Sequence, residues 1–138
     1  MPSFRYGFET ILSGTSNDEA IGRVTDELKK EGFGILTEID VKTTLKKKLD
    51  IDFRPYVILG ACNPPLARQA LEAEGQIGLL LPCNVVVQEI GSGRVSVSIA
   101  DPKAMFTLVD NPAVVPVAEE AERRLRRVIQ ALGSAGSS

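Results

Sequence analysis

Cys83-Asn84-Val85-Val86-Val87-Gln88-Glu89-Ile90, the turn Gly91-Ser92-Gly93 and Arg94-Val95-Ser96-Val97-Ser98-Ile99 together read as a β-hairpin. In the second arm Val95, Val97 and Ile99 alternate with Arg94, Ser96 and Ser98, so one face of the strand is apolar and the other polar. Glycines on both sides of Ser92 supply the backbone freedom that a tight turn needs. Such a hairpin belongs to an antiparallel sheet with one face buried.

Working outward, Tyr56 to Ala61 is apolar on both faces and reads as a central strand. Gly34 to Val41 is a second strand, with Ile35, Thr37, Ile39 and Val41 on one side. Phe4 to Leu12 is the first, with Phe4, Tyr6, Phe8, Thr10 and Leu12 on one side. Helices fall between them. Ser16 and Glu19 have the spacing of a capping box, Ile21, Val24 and Leu28 share a face, and Gly32 is placed to close that helix with positive φ. Asp40 caps a short helix whose apolar stripe is Leu45 and Leu49, with Lys42, Lys46, Lys47 and Lys48 around it. Asn63 and Pro64 open another, which runs to about Glu74, and Asn111-Pro112 opens the last, with Ala121, Leu125, Val128, Ile129 and Leu132 as its stripe. Asp101-Pro102 stops the preceding strand. The order β-α-β-α-β-α-β-β-α predicts an α+β two-layer sandwich: a largely antiparallel five-stranded sheet with helices on one face. One domain over residues 1–132 is expected, followed by a flexible tail over 133–138.

The chain has 138 residues, 43% hydrophobic and 25% charged, with 16 basic against 18 acidic side chains. This balance is that of a globular protein and argues against a dedicated nucleic-acid binder, which needs a basic face. Histidine is absent, which removes histidine triads and histidine-ligated zinc outright. Two cysteines are too few for a disulfide framework or a four-thiolate metal site, so no metal and no cofactor are expected. Neither a signal segment nor an apolar run approaching the roughly 20 residues of a membrane span is present, and a cytoplasmic location is the expectation.

Candidate chemistry gathers in three stretches. Ile58-Leu59-Gly60-Ala61-Cys62-Asn63-Pro64-Pro65 sets a thiol between a buried strand and a helix N-terminus, where a thiolate or another anion gains from the helix dipole. If Cys62 is open there it should alkylate faster than Cys83; the plain alternative is a small buried hydrophobe. Leu79 to Val87 repeats the pair as Cys83-Asn84, and neighbouring strands would bring both thiols and both amides to one end of the sheet. Thr37-Glu38-Ile39-Asp40-Val41-Lys42 carries two carboxylates and a lysine, which suit acid-base work or, more plainly, a polar strand face and a helix cap.

These stretches resemble the family catalogued as domain of unknown function 302, on Gly32 to Lys42, Ile58 to Pro65 and Gly78 to Val87, a span from about Gly32 to Pro102. The resemblance implies a small α+β domain, often a symmetric dimer, and places Glu38, Lys42, Cys62, Asn63, Cys83 and Asn84 within the family's motif segments. It carries no established activity, substrate or catalytic residue. Three functions are therefore weighed. The first is a noncatalytic module binding a small anionic or thiol-reactive ligand at Cys62/Asn63 and Cys83/Asn84. The second is a thiol enzyme or sulfur carrier using Cys62, and the third a structural or regulatory dimer without a ligand. The first is favoured because a catalytic thiol wants a base beside it. A homodimer is expected to cover the open sheet face, helped by Phe4, Tyr6 and Phe8.

Overall fold

In the computed structural model, which describes residues 3–136, six strands form one antiparallel sheet. They are β1 (Ser3–Phe4), β2 (Gly7–Ser13), β3 (Gly34–Asp40), β4 (Tyr56–Cys62), β5 (Cys83–Gly91) and β6 (Arg94–Ala100), in the spatial order β1-β2-β6-β5-β4-β3. The helices are α1 (Asn17–Lys30), α2 (Val41–Leu49), α3 (Pro64–Ala73), α4 (Pro102–Phe106) and α5 (Val115–Gly136), with 3-10 turns at Gly75–Leu80 and Pro112–Val114. The α+β sandwich is as the sequence implies, and the expected element order gains a strand at its start and the short helix α4 between β6 and α5. A turn at Arg5 and Tyr6 divides the expected first strand, so Ser3–Phe4 folds back as a sixth, two-residue edge strand.

The hairpin pairs Val85 with Ile99 and Val87 with Val97, and β2 joins it by pairing Phe8 with Ile99 and Leu12 with Val95. Those side chains meet Val57, Leu59 and Ala61 of β4, Val24 and Leu28 of α1, and Leu125, Val128, Ile129 and Leu132 of α5 in one core. Phe8 is therefore core, while Tyr6 is 67% exposed: the turn breaks the alternation that would have grouped them.

The capping box of α1 forms, with Glu19 N–H donating to Ser16 Oγ at 3.1 Å and Ser16 N–H to Glu19 Oε1 at 3.1 Å. Its other end is a Schellman motif: Phe33 N–H donates to Leu28 O, Gly32 N–H to Lys29 O, and Gly32 has φ +83°. Asp40 caps α2 through Thr43 N–H, but Leu49 is 63% exposed and nothing on α2 is buried, so the expected stripe of Leu45 and Leu49 does not form a core face. The helix leaves directly from edge strand β3, outside the layer that α1 and α5 cover. Pro112–Val114 takes the 3-10 form before α5, and α5 stays helical through Gly136, beyond Gly133 where a tail was expected. Ser137 and Ser138 of that tail lie outside the described residues.

Close backbone approach fixes one glycine. A Cβ on Gly7 would lie 2.7 Å from the Ile99 carbonyl oxygen and 2.9 Å from Phe4 Cε2. The phenyl ring can move, whereas the carbonyl belongs to the paired strand. Gly7→Ala is expected to cost about 1–3 kcal/mol, read from the urea midpoint; a loss below about 0.5 kcal/mol, the range of neutral surface changes, would contradict this close packing.

Candidate functional site

Register sets Cys62 and Cys83 on neighbouring strands. Strand β4 pairs with β5 so that Ala61 stands opposite Cys83, one residue before Cys62. On the other side Cys62 stands opposite Gly34 of β3, and β3 carries an extra residue between Ile35, opposite Ala61, and Thr37, opposite Gly60. That bulge is Leu36. It shifts the alternation, so Ile35 shares the face of Ala61 while Thr37 and Ile39 share that of Gly60 and Ile58, and the four-residue face expected for this strand is broken.

Cys62, Asn63 and Cys83 line one cavity of about 320 Å³. Its walls come from Phe33 and Leu36, from Leu66, Ala67, Ala70 and Leu71 of α3, from Leu81 and Pro82 before β5, from Pro102 and Phe106 of α4, and from Val117 and Ala121 of α5. Phe106, Val117, Ala70, Ile77, Val114 and Ala118 form a second small core behind it. Leu36 at 66% and Leu71 at 44% exposure give the opening an apolar margin. Among the described residues, none that lines the cavity carries a charged side chain.

Asn63 is the lining amide, and the fold already uses it. Its Oδ1 accepts from Leu66 N–H at 3.2 Å, and its Nδ2 donates to Glu31 O at 3.4 Å, an oxygen that Arg124 Nη1 also reaches at 3.1 Å. The residue ties the start of α3 to the end of α1. Pro64 and Pro65 occupy the first two helical positions and have no N–H; Leu66 N–H is capped, and Ala67 N–H donates to Asn63 O at 2.8 Å. An anion therefore finds no free amide at this helix end, and the donors that such ligands require are missing.

Both cysteines are free thiols and partly exposed. Burial, and secondarily the nearby Cys62 thiol, pushes the Cys83 thiol up to about 11. The cavity thus disfavours charge.

The other sequence candidates lie elsewhere. Asn84, next to Cys83, points to the opposite sheet face by alternation, is exposed, and lines a concavity with Tyr6, Tyr56, Gln88 and Ser98. It also borders a small cleft shared by Cys83 and Met105. Glu38 is exposed opposite Leu59 on the sheet edge. Lys42 Nζ donates to the Phe53 carbonyl at 3.0 Å, at the base of α2. Among the described residues, no cluster of three or more His, Cys, Asp or Glu side chains is arranged to hold a metal ion, and no helix is long and apolar enough to cross a membrane.

The family model described as "Domain of unknown function DUF302" matches residues 9–132. The chain belongs to this family. The DUF302 match extends well beyond the Gly32 to Pro102 span that carries the resemblance, taking in most of β2, all of α1 and most of α5. A solved structure, the uncharacterized conserved DUF302 protein from Bacillus stearothermophilus, is similar at 31% identity and a TM-score of 0.81, over 91% of this chain and 96% of that one. No curated protein matches the chain. The DUF302 assignment fixes family and fold and assigns no activity.

Proposed function

We propose that this DUF302 chain is a noncatalytic binding module whose cavity holds a small, uncharged, thiol-reactive ligand. One observation carries the reading: a cavity of about 320 Å³ with apolar walls, two thiols and no charged lining residue. Cavities of about 150 Å³ lined by aliphatic and aromatic side chains already accept benzene, and ligand pockets are mostly apolar with few polar groups. An uncharged ligand suits the site better than an anion because the helix end offers no free amide. A binding module suits it better than a thiol enzyme because the lining supplies no base to activate a nucleophile.

The same proposal includes a cytoplasmic location, where both thiols stay reduced, and a homodimer formed through the sheet face that carries half-buried Ile58 and Val86 and exposed Ile39. Twofold dimers are the commonest closed assemblies, and sedimentation showing only monomer across micromolar concentrations would exclude this one. Nucleic acid is not a proposed partner: Lys46 pairs with Asp50 at 3.1 Å and Asp52 at 3.4 Å, and Lys42 is held on a carbonyl, which dilutes the basic patch of α2.

The test is binding of the neutral fluorophore N-phenyl-1-naphthylamine to the full chain. Saturable binding at one site is expected, weakened at least about tenfold, or 1.4 kcal/mol, in a folded Ala67→Phe variant whose ring fills the opening. Absence of saturable binding, or equal binding by the variant, would overturn the cavity as the site.

A further inference from the structure

We propose that the sheet face opposite the main core carries a second binding site, for a small aromatic monocarboxylate whose ring lies in the concavity beside Asn84 and whose carboxylate is met by Arg54. The inference is independent of the cavity that Cys62 and Cys83 line. Local chemistry holds Arg54 in place before any ligand arrives. It precedes Pro55, which biases it toward extended backbone, and the Pro55 carbonyl accepts from Glu89 N–H at 2.9 Å, tying this segment to β5. The guanidinium carbon stands 4.4 Å from the centroid of the Phe53 ring and 5.5 Å from that of Tyr56, both within cation–π range. Nε donates to Gln88 Oε1 at 2.8 Å. Although exposed, the side chain is thus gripped by three neighbours, yet among the described residues it enters no ion pair. Its terminal nitrogens remain available for the paired hydrogen bonds by which arginine binds a carboxylate.

Tyr56 and Gln88, which touch Arg54, are also walls of a concavity of about 360 Å³, within the usual size of ligand pockets. Tyr56 pairs with Gln88 across β4 and β5, and Val86 with Ser98 across β5 and β6, so these four lie side by side, with Asn84 beyond Val86 on the same face. Phe4 and Tyr6, folded back by the turn that divides the first strand, line it from the β2 side with their rings 4.9 Å apart. Among the described residues, none that lines it is charged, and Arg54 brings one positive charge to its rim. The rings together with Val86 and Met105 suit a flat aromatic body. Asn84 and Ser98 offer hydrogen bonds to ring substituents. One guanidinium balances one carboxylate, whose two oxygens its planar fork matches. Val86 is shared with the dimer face proposed above, whereas Ile39 and Ile58 do not line the concavity.

The probe is 2-naphthoate, titrated calorimetrically into the full chain at low salt. One saturable site per chain is expected. 2-Naphthamide has the same shape without the charge and should bind at least about tenfold more weakly, for want of a charge-assisted hydrogen bond. Decahydro-2-naphthoate, which keeps the charge and loses the aromatic faces, should also bind more weakly. Arg54→Gln, at an exposed position, should weaken 2-naphthoate at least about tenfold, and Arg54→Lys should not restore it because an ammonium lacks the fork. Ala67→Phe, which fills the other cavity, should leave 2-naphthoate binding unchanged.

The comparison of 2-naphthoate with 2-naphthamide uses the wild-type chain, so it decides the matter even if a variant does not fold. Absence of saturable binding, equal binding of the amide, or Arg54→Gln binding as tightly as wild type would overturn the proposal. Loss of 2-naphthoate binding in folded Ala67→Phe would overturn it too, by moving the ligand to the apolar cavity. Tighter binding of 2-naphthyl phosphate would overturn the choice of a monocarboxylate. Binding of 2-naphthoate that persists in Ala67→Phe while N-phenyl-1-naphthylamine binding falls is the pattern expected of two separate sites.

Discussion

Leu125→Ala is expected to destabilise the protein by about 3–5 kcal/mol, the upper part of the range for a fully enclosed leucine. Leu125 is 0% exposed and sits where α5 crosses the sheet, among Phe8, Val97 and Ile129 of the main core. The substitution loses the transfer free energy of the missing methyl groups and leaves a hole that a sheet face on one side and a 22-residue helix on the other cannot readily close. Its cost is the larger because α5 belongs to both cores: Val117 and Ala118 join the group behind the cavity, and Ala121 through Leu132 cover the sheet. Loosening Leu125 should therefore weaken binding of an apolar probe as well as stability. Urea unfolding followed by circular dichroism measures the first effect. A loss of less than about 2 kcal/mol, below the range for buried leucines, would mean that α5 does not hold the two cores together.

Much of this architecture is legible in the sequence because local rules dictate it. Alternation in Arg94 to Ile99, the box at Ser16 and Glu19, and Gly32 at the end of α1 each specify backbone geometry through residues a few positions apart. The two features that make the site are less local. Leu36 faces the opening only because a bulge in β3 forms against β4, and nothing within Gly34 to Val41 marks it. Phe106, Val117 and Ala121 reach the cavity from helices far along the chain, which periodicity within one element cannot reveal. The division at Arg5 and Tyr6 is similar, since that alternating pattern suits a continuous strand until Gly7 must approach the Ile99 carbonyl. One signal does lie in plain view. Pro64-Pro65 removes two amide donors from the helix that Asn63 opens, so the sequence itself contains the reason why this helix end is a poor anion site.

The same sequence, with Cys83 set at the start of a buried strand, also implies a stability that declines in alkali. The Cys83 thiol ionises near 9.0 when unperturbed and is pushed up to about 11 in the fold, chiefly by burial and then by Cys62. Below pH 9 the thiol is protonated in both states, and its full contribution is present. Between pH 9 and 11 the unfolded chain gives up this proton while the folded chain keeps it, so the folded state binds more protons and unfolding becomes easier as pH rises. Two units at 1.36 kcal/mol each set a loss of about 2–3 kcal/mol, complete once pH passes about 11. Lysines and tyrosines also titrate there, so the informative quantity is a difference. Wild type minus Cys83→Ala, measured by urea unfolding at pH 8, 9, 10 and 11 under reducing conditions, should fall by that amount, while wild type minus Cys62→Ala should change far less because burial is the larger cause. A difference for Cys83→Ala that stays level from pH 8 to 11 would show that the thiol ionises equally well in both states, and the cavity wall around it would then have to be open to water.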